Sequence, residues 1–192
     1  MLLGLVVGLR HAFEPDHLTA MATLVTETRD PRRGAMLGAL WGLGHTISLV
    51  LVGAILIAIG AVLPVRVAIV FELGVSVALV VLGVRALRGH RHTEADAHVH
   101  VRPLVVGLVH GLAGSGALTA LVFAQLPSTA ERIAYISVFG AGSIAGMAGA
   151  SALVGVSLGT MQRGRRWLTV AAGVLSIGLG IAWSVPLFAQ LA

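Results

Sequence analysis

The sequence predicts an all-α, polytopic membrane protein, with about six transmembrane helices arranged as two inverted three-helix repeats. Three observations predict it. Charge is scarce: Asp, Glu, Lys and Arg make up 11% of the 192 residues, where a soluble domain carries roughly 25%, and mean hydropathy is +0.95. The apolar residues fall in runs long enough to cross a bilayer as helices, about 20 residues each, without the short alternating segments of a membrane barrel. The chain also resembles itself at an offset of about 99 residues.

The first span, about 1–26, opens on Met1 to Leu9, all apolar or Gly. It then holds Arg10-His11-Ala12-Phe13-Glu14-Pro15-Asp16-His17 and resumes from Leu18 to Val25 with only Thr19 and Thr23 polar. No basic segment precedes its apolar run, so no cleavable signal peptide is expected. Arg29-Asp30-Pro31-Arg32-Arg33 ends this span, and Pro64 ends the second, 35–62. The third, 66–87, gives way to the stretch from Arg88 to Arg102. Pro127 stops the fourth, 103–126, and Arg163 to Arg166 separate the fifth, 132–160, from the sixth, 167–190. The expected organisation is therefore a first repeat over 1–88, a His-rich loop over 89–102 and a second repeat over 103–192.

Arginine fixes the expected orientation. Arg29, Arg32, Arg33, Arg85, Arg88, Arg91, Arg102, Arg163, Arg165 and Arg166 follow the odd-numbered spans, whereas only Arg66 and Arg132 lie on the other side. The positive-inside pattern puts the odd loops in the cytoplasm and both termini outside, in a multi-pass protein of the inner (plasma) membrane. The same pattern explains the sequence pI of about 11.5 without nucleic acid as a partner. Cysteine is absent, which removes disulfides, thiolate ligands and redox chemistry.

The repeat is carried by several matches in order. Val7-Gly8-Leu9-Arg10-His11 aligns with Val106-Gly107-Leu108-Val109-His110, and Leu18-Thr19-Ala20 with Leu118-Thr119-Ala120. Trp41-Gly42-Leu43-Gly44-His45 aligns with Phe139-Gly140-Ala141-Gly142-Ser143, and Gly74-Val75 with Gly173-Val174. Three spans per half is an odd number, so the halves must lie in opposite orientations, an arrangement found in transporters that bind their substrate near the midplane.

The run from Arg10 to His17 carries the chemistry. Ionisable side chains near the bilayer centre cost about 2.5–3.5 kcal/mol each on insertion scales, and those that occur there are usually functional. On an unbroken helix His11, Asp16 and His17 would spread around the circumference. Pro15 lacks an N–H, clashes with the His11 carbonyl four residues back and pushes Glu14 out of the α region. The span is expected to unwind there, turning the side chains inward and freeing the His11 carbonyl as an oxygen donor. Imidazole with carboxylate suits a divalent metal such as Ni, Co, Zn, Fe or Mn.

The candidate ligands are His11, Glu14, Asp16 and His17, with His45 from the second span and His110, the repeat counterpart of His11. A cluster that only ties helices together is the alternative, most of all for an Arg10–Glu14 pair at i, i+4. Gly111-Leu112-Ala113-Gly114-Ser115-Gly116 after His110 allows either an unwound fourth span or close helix packing. Ser143, matching His45, is expected to pack or hydrogen-bond, and Glu72 is either an entry residue or an interfacial acid. The loop adds His90, His92, His98 and His100 around Glu94 and Asp96, a compositional metal signal whose alternative is a solvated linker.

His11-x4-Asp16-His17 preceded by Arg10, with Leu43-Gly44-His45-Thr46, resembles the nickel/cobalt permease family and its H-x4-D-H signature. The stretch from Gly8 to Leu18, with His110 to Gly116, is similar to its short, urease-accessory-type branch. The chain departs from the longer members at Glu14-Pro15 and in having six expected spans against their eight. The resemblance implies transport of Ni2+ or Co2+, with His11, Asp16, His17 and His45 in metal recognition.

The expected function is thus uptake of a divalent transition metal, carried as substrate with no resident cofactor, by a bilayer protein that is not an enzyme. Homo-oligomerisation stays open. Efflux, with the His-rich loop loading the ion, is the alternative. An intramembrane metalloenzyme is disfavoured by the lack of a His-Glu-x-x-His template, and an anion exporter by the acidic midplane.

Overall fold

The computed structural model describes residues 2–25, 30–59, 63–88, 101–112, 126–160 and 165–191, and these form seven helices: α1 Leu2–His11, α2 Pro15–Val25, α3 Pro31–Ile59, α4 Val65–Arg88, α5 Val101–Gly111, α6 Thr129–Thr160 and α7 Arg165–Leu191. Four of them (α3, α4, α6 and α7) are long and apolar enough to cross a membrane. Large apolar side chains such as Leu51, Ile55, Val77, Leu175 and Val185 face outward, while His11, Asp16, His17, His45 and His110 are buried. Apolar exterior with ionisable interior is what a bilayer solvent demands. The chain is a helical membrane protein.

The first and fourth of the six expected spans are not described as single long helices. The first breaks, as Pro15 predicts, into two short helices joined by a turn, because proline lacks the amide an interior position needs but suits the first position of a new helix. The Phe13 amide donates to the Arg10 carbonyl at 2.9 Å, the Glu14 amide to the His11 carbonyl at 3.1 Å, and the Leu18 amide to the Glu14 carbonyl at 2.9 Å, so Glu14 caps α2. The His11 carbonyl expected to be free is therefore occupied by the Glu14 amide. The fourth span is described only as the short α5, which starts at Val101, so Val101 and Arg102 belong to a helix and not to the loop.

Other helix ends shift outward because the breakers act as caps. Asp30 accepts the Arg32 amide on its Oδ1 at 2.9 Å, so Pro31 opens α3 four residues before the expected start. Ser128 and Glu131 form a reciprocal capping box: the Glu131 amide donates to Ser128 Oγ at 3.2 Å and the Ser128 amide to Glu131 Oε2 at 3.2 Å. That starts α6 at Thr129.

The core is built on α3 against α6. Gly34 abuts Ser151, Gly42 abuts Ile144, and Gly53 abuts Ile136, so the two helices run antiparallel. α1 lies on α6, α5 on α3, and α4 pairs with α7, while α2 reaches α7, α4 and α6. Gly8 and Gly107 are among the glycines that allow the closest approaches. A Cβ at Gly8 of α1 would overlap the Phe139 carbonyl of α6, and one at Gly107 of α5 would overlap the Trp41 carbonyl of α3.

Candidate metal centre

The break after His11 creates the site. α1 delivers His11 at its C-terminal end, and α2 delivers Asp16 and His17 in its first turn, where the helix dipole favours a carboxylate. His45 comes from the middle of α3, and His110 from the last turn of α5. All five residues are buried, with exposures of 3% or less. Gly111 lets α5 come this close: a Cβ there would overlap the His45 carbonyl and Ser48 Oγ. Of the two readings of the glycines after His110, close packing accounts for Gly111, while Ala113 to Gly116 lie outside the described residues.

Two overlapping groups of candidate ligands result, His11 with His17 and His45, and Asp16 with His17 and His110; within each, one atom per residue lies within 4.8 Å of the others. His17 belongs to both. His11 Nε2 and His45 Nε2 are 3.1 Å apart, and His110 Nε2 is 2.8 Å from Asp16 Oδ2. His17 Nδ1 lies 3.0 Å from Asp16 Oδ1, yet off the axis of a hydrogen bond, so both ring nitrogens of His17 lack a hydrogen-bonding partner, as do Asp16 Oδ1, His45 Nδ1 and His110 Nδ1. Buried polar atoms left unpaired cost about 1–3 kcal/mol each. These unpaired atoms lie together within the two candidate ligand groups.

Glu14 stands apart. It is in neither group, its side chain is 42% exposed, and its Oε2 meets His11 Nδ1 at 3.0 Å. That contact orients the His11 ring with Nε2 toward His45, the carboxylate–imidazole arrangement that usually supports a metal ligand. The Arg10–Glu14 pair is replaced by this contact. Ser143 donates to the Gly8 carbonyl at 3.4 Å, tying α6 to α1. Glu72 is half-buried on α4, and its carbonyl accepts from Ser76 Oγ. His90, His92, His98 and His100, with Glu94 and Asp96, lie outside the described residues.

Two aromatic residues that the motifs did not single out for the site are part of it. Trp41 stacks on His17 with ring centroids 5.4 Å apart and meets His110 edge-on at 5.6 Å. Phe139 packs on His11 at 5.5 Å. Their signal was present in the repeat, where each precedes a mid-span polar residue by one helical turn.

No family model matches the chain, and no solved structure matches it. Among curated proteins it is similar to the urease accessory protein UreH of Bacillus sp. (strain TB-90), 32% identical over 171 residues that cover 80% of this chain and 75% of that protein. It is also similar to the chloroplast proteins FOR GROWTH AND FERTILITY 1 and 2 of Arabidopsis thaliana, each 25% identical over 93% and 96% of this chain but only 56% of their own length. The UreH match extends through most of the chain. This helical membrane protein belongs to the family of the urease accessory protein UreH.

Proposed function

We propose that this protein carries Ni2+, or Co2+, across the inner membrane into the cytoplasm, binding the ion at the cluster of His11, Asp16, His17, His45 and His110. The observation that carries the reading is the set of five buried ligands, with unpaired polar atoms turned on one another, brought together from four helices of an otherwise apolar bundle. The chemistry fits a borderline cation, since imidazole and carboxylate suit Ni, Co and Zn and no thiolate is available. The 3.1 Å between His11 Nε2 and His45 Nε2 also suits neighbouring corners of a square-planar or octahedral ion, about 3 Å apart for metal–nitrogen bonds of about 2.1 Å. The H-x4-D-H resemblance to nickel/cobalt permeases and the kinship with a urease accessory protein favour nickel.

Transport follows from the reading of the chain as six spans in two inverted repeats, 1–88 and 103–192. That reading is supported by the four most extensive helix pairings, which are unchanged when the halves are exchanged. α3 packs on α6 and α4 on α7, while α1 on α6 exchanges with α5 on α3. The glycine contacts exchange too. Gly8 against Phe139 corresponds to Gly107 against Trp41, and Gly142 against Leu5 to Gly44 against Leu104. His110 comes from the second half and the other four ligands from the first, so rocking of one half against the other opens the site first to one face and then to the other. The distribution of Arg supports an orientation with both termini outside.

Cell-associated nickel, measured for the intact chain, His11→Ala and Asp16→Asn at matched expression, tests the proposal. Uptake by the intact chain alone is expected, with both variants at background. Equal accumulation by all three would overturn metal transport, and a fall in internal nickel with the intact chain would reverse its direction in favour of efflux.

A further inference from the structure

Trp41 and Phe139 occupy corresponding places in the two halves. Each lies four residues before a mid-span position, His45 on α3 and Ser143 on α6, which match in the repeat. Because α3 and α6 run antiparallel, with Gly42 against Ile144 and Gly140 against Thr46, one turn back on each helix leads in opposite directions. The two residues therefore sit on opposite sides of the ligand cluster, about 9 Å apart along the helix axes at about 1.5 Å per residue.

Both rings are sealed and both touch the cluster. Trp41 is 0% and Phe139 2% exposed. Trp41 covers His17 and His110, and behind it lie Met21 and Met147 in the same apolar cluster. Phe139 covers His11 and is backed by Tyr135 and Leu49. Neither ring offers the ion a ligand. The indole Nε1–H of Trp41 has no hydrogen-bond acceptor among the described residues, although a buried indole usually finds one. Its closed position thus gives up a hydrogen bond that water would supply once the ring moved aside.

We infer that Trp41 and Phe139 are the two gates of the metal site: Trp41 closes it toward the cytoplasm and Phe139 toward the outside. The inference rests on the transport reading and on the orientation given by Arg. Apolar plugs of this kind close a path by excluding water as much as by bulk, and in a rocking mechanism only one is withdrawn at a time.

The chain has no cysteine, so a single thiol can report access. His45 makes ring contacts with His11 and His17 but with neither gate, which makes His45→Cys the reporter. Its labelling by a membrane-impermeant thiol reagent is measured in right-side-out and inverted vesicles. Slow labelling from both faces is expected for His45→Cys alone. Adding Phe139→Ala accelerates it roughly tenfold or more from the outside only, and adding Trp41→Ala does the same from the cytoplasmic face only, because each deletion removes the bulk of one buried ring. Phe139→Leu and Trp41→Phe, which keep an apolar plug, stay slow.

Acceleration in neither alanine variant, at the same face in both, at reversed faces, or equally from both faces as an unfolded chain would give, overturns the assignment. Labelling needs no metal, so failure of the nickel proposal would show in the flux assay and leave this result unchanged.

Discussion

Glu14 and Asp16 are neighbours in one polar run, yet two residues of chain give them different work. Asp16 lies in the first turn of α2 and meets His110 at 2.8 Å. Glu14 lies in the turn before it, partly exposed, and meets only the far nitrogen of His11. Glu14→Gln is therefore expected to weaken nickel binding about 10-fold while leaving the stoichiometry intact, as loss of a carboxylate that orients a ligand does. Titration calorimetry on the purified protein reads both quantities. His17→Ala, which empties a position shared by both ligand groups, is expected to abolish binding in the same experiment. The five buried members of the cluster were legible in the sequence because an ionisable residue in an apolar span is conspicuous. Trp41 and Phe139 were not, since an aromatic residue in an apolar span is ordinary until the structure shows what its ring covers.

At the scale of the element, proline and the capping residues decide where the helices begin. The break at Pro15 could be read from the chain because it depends only on a missing N–H and a clash four residues back. The fate of the His11 carbonyl could not, because it depends on how tightly the next residues turn. The starts of α3 and α6 were written in Asp30-Pro31 and in Ser128-x-x-Glu131, and an expectation that reads such residues only as breakers places the helices too late. Ser128→Ala removes the side-chain half of the capping box and is expected to cost about 1 kcal/mol. Thermal unfolding in detergent would register it as a lower midpoint with nickel uptake retained. An unchanged midpoint would mean that packing on α3 alone holds the end of α6.

For the whole molecule, the proposed metal site implies a coupling of metal binding to protons. Each imidazole must be neutral, and Asp16 ionised, to bind the ion, so acidification adds protons that compete with it. Nickel uptake is expected to fall as the external medium is made more acid and to recover when it is neutralised, which initial-rate uptake across a pH series at constant ion activity would measure. A flat profile would point to binding at groups other than imidazole. The apolar segments were legible in the chain, but which helices pair with which was not. Sequence matching shows which segments correspond, whereas packing depends on which small residues, such as Gly8 and Gly107, face one another's backbone.

Those pairings also bear on how the chain is made. α3 finds its main partners in α5 and α6, α4 in α7, and α1 in α6, so the extensive contacts join early sequence to late. Emerging from the ribosome, the first half enters the bilayer with His11, Asp16, His17 and His45 in place but with no second half to close over them. Until α6 and then α7 arrive, four ionisable side chains wait unshielded in or beside lipid. Synthesis is therefore the moment of greatest exposure for these side chains, because α1 meets its main partner, α6, only when much of the chain has been made.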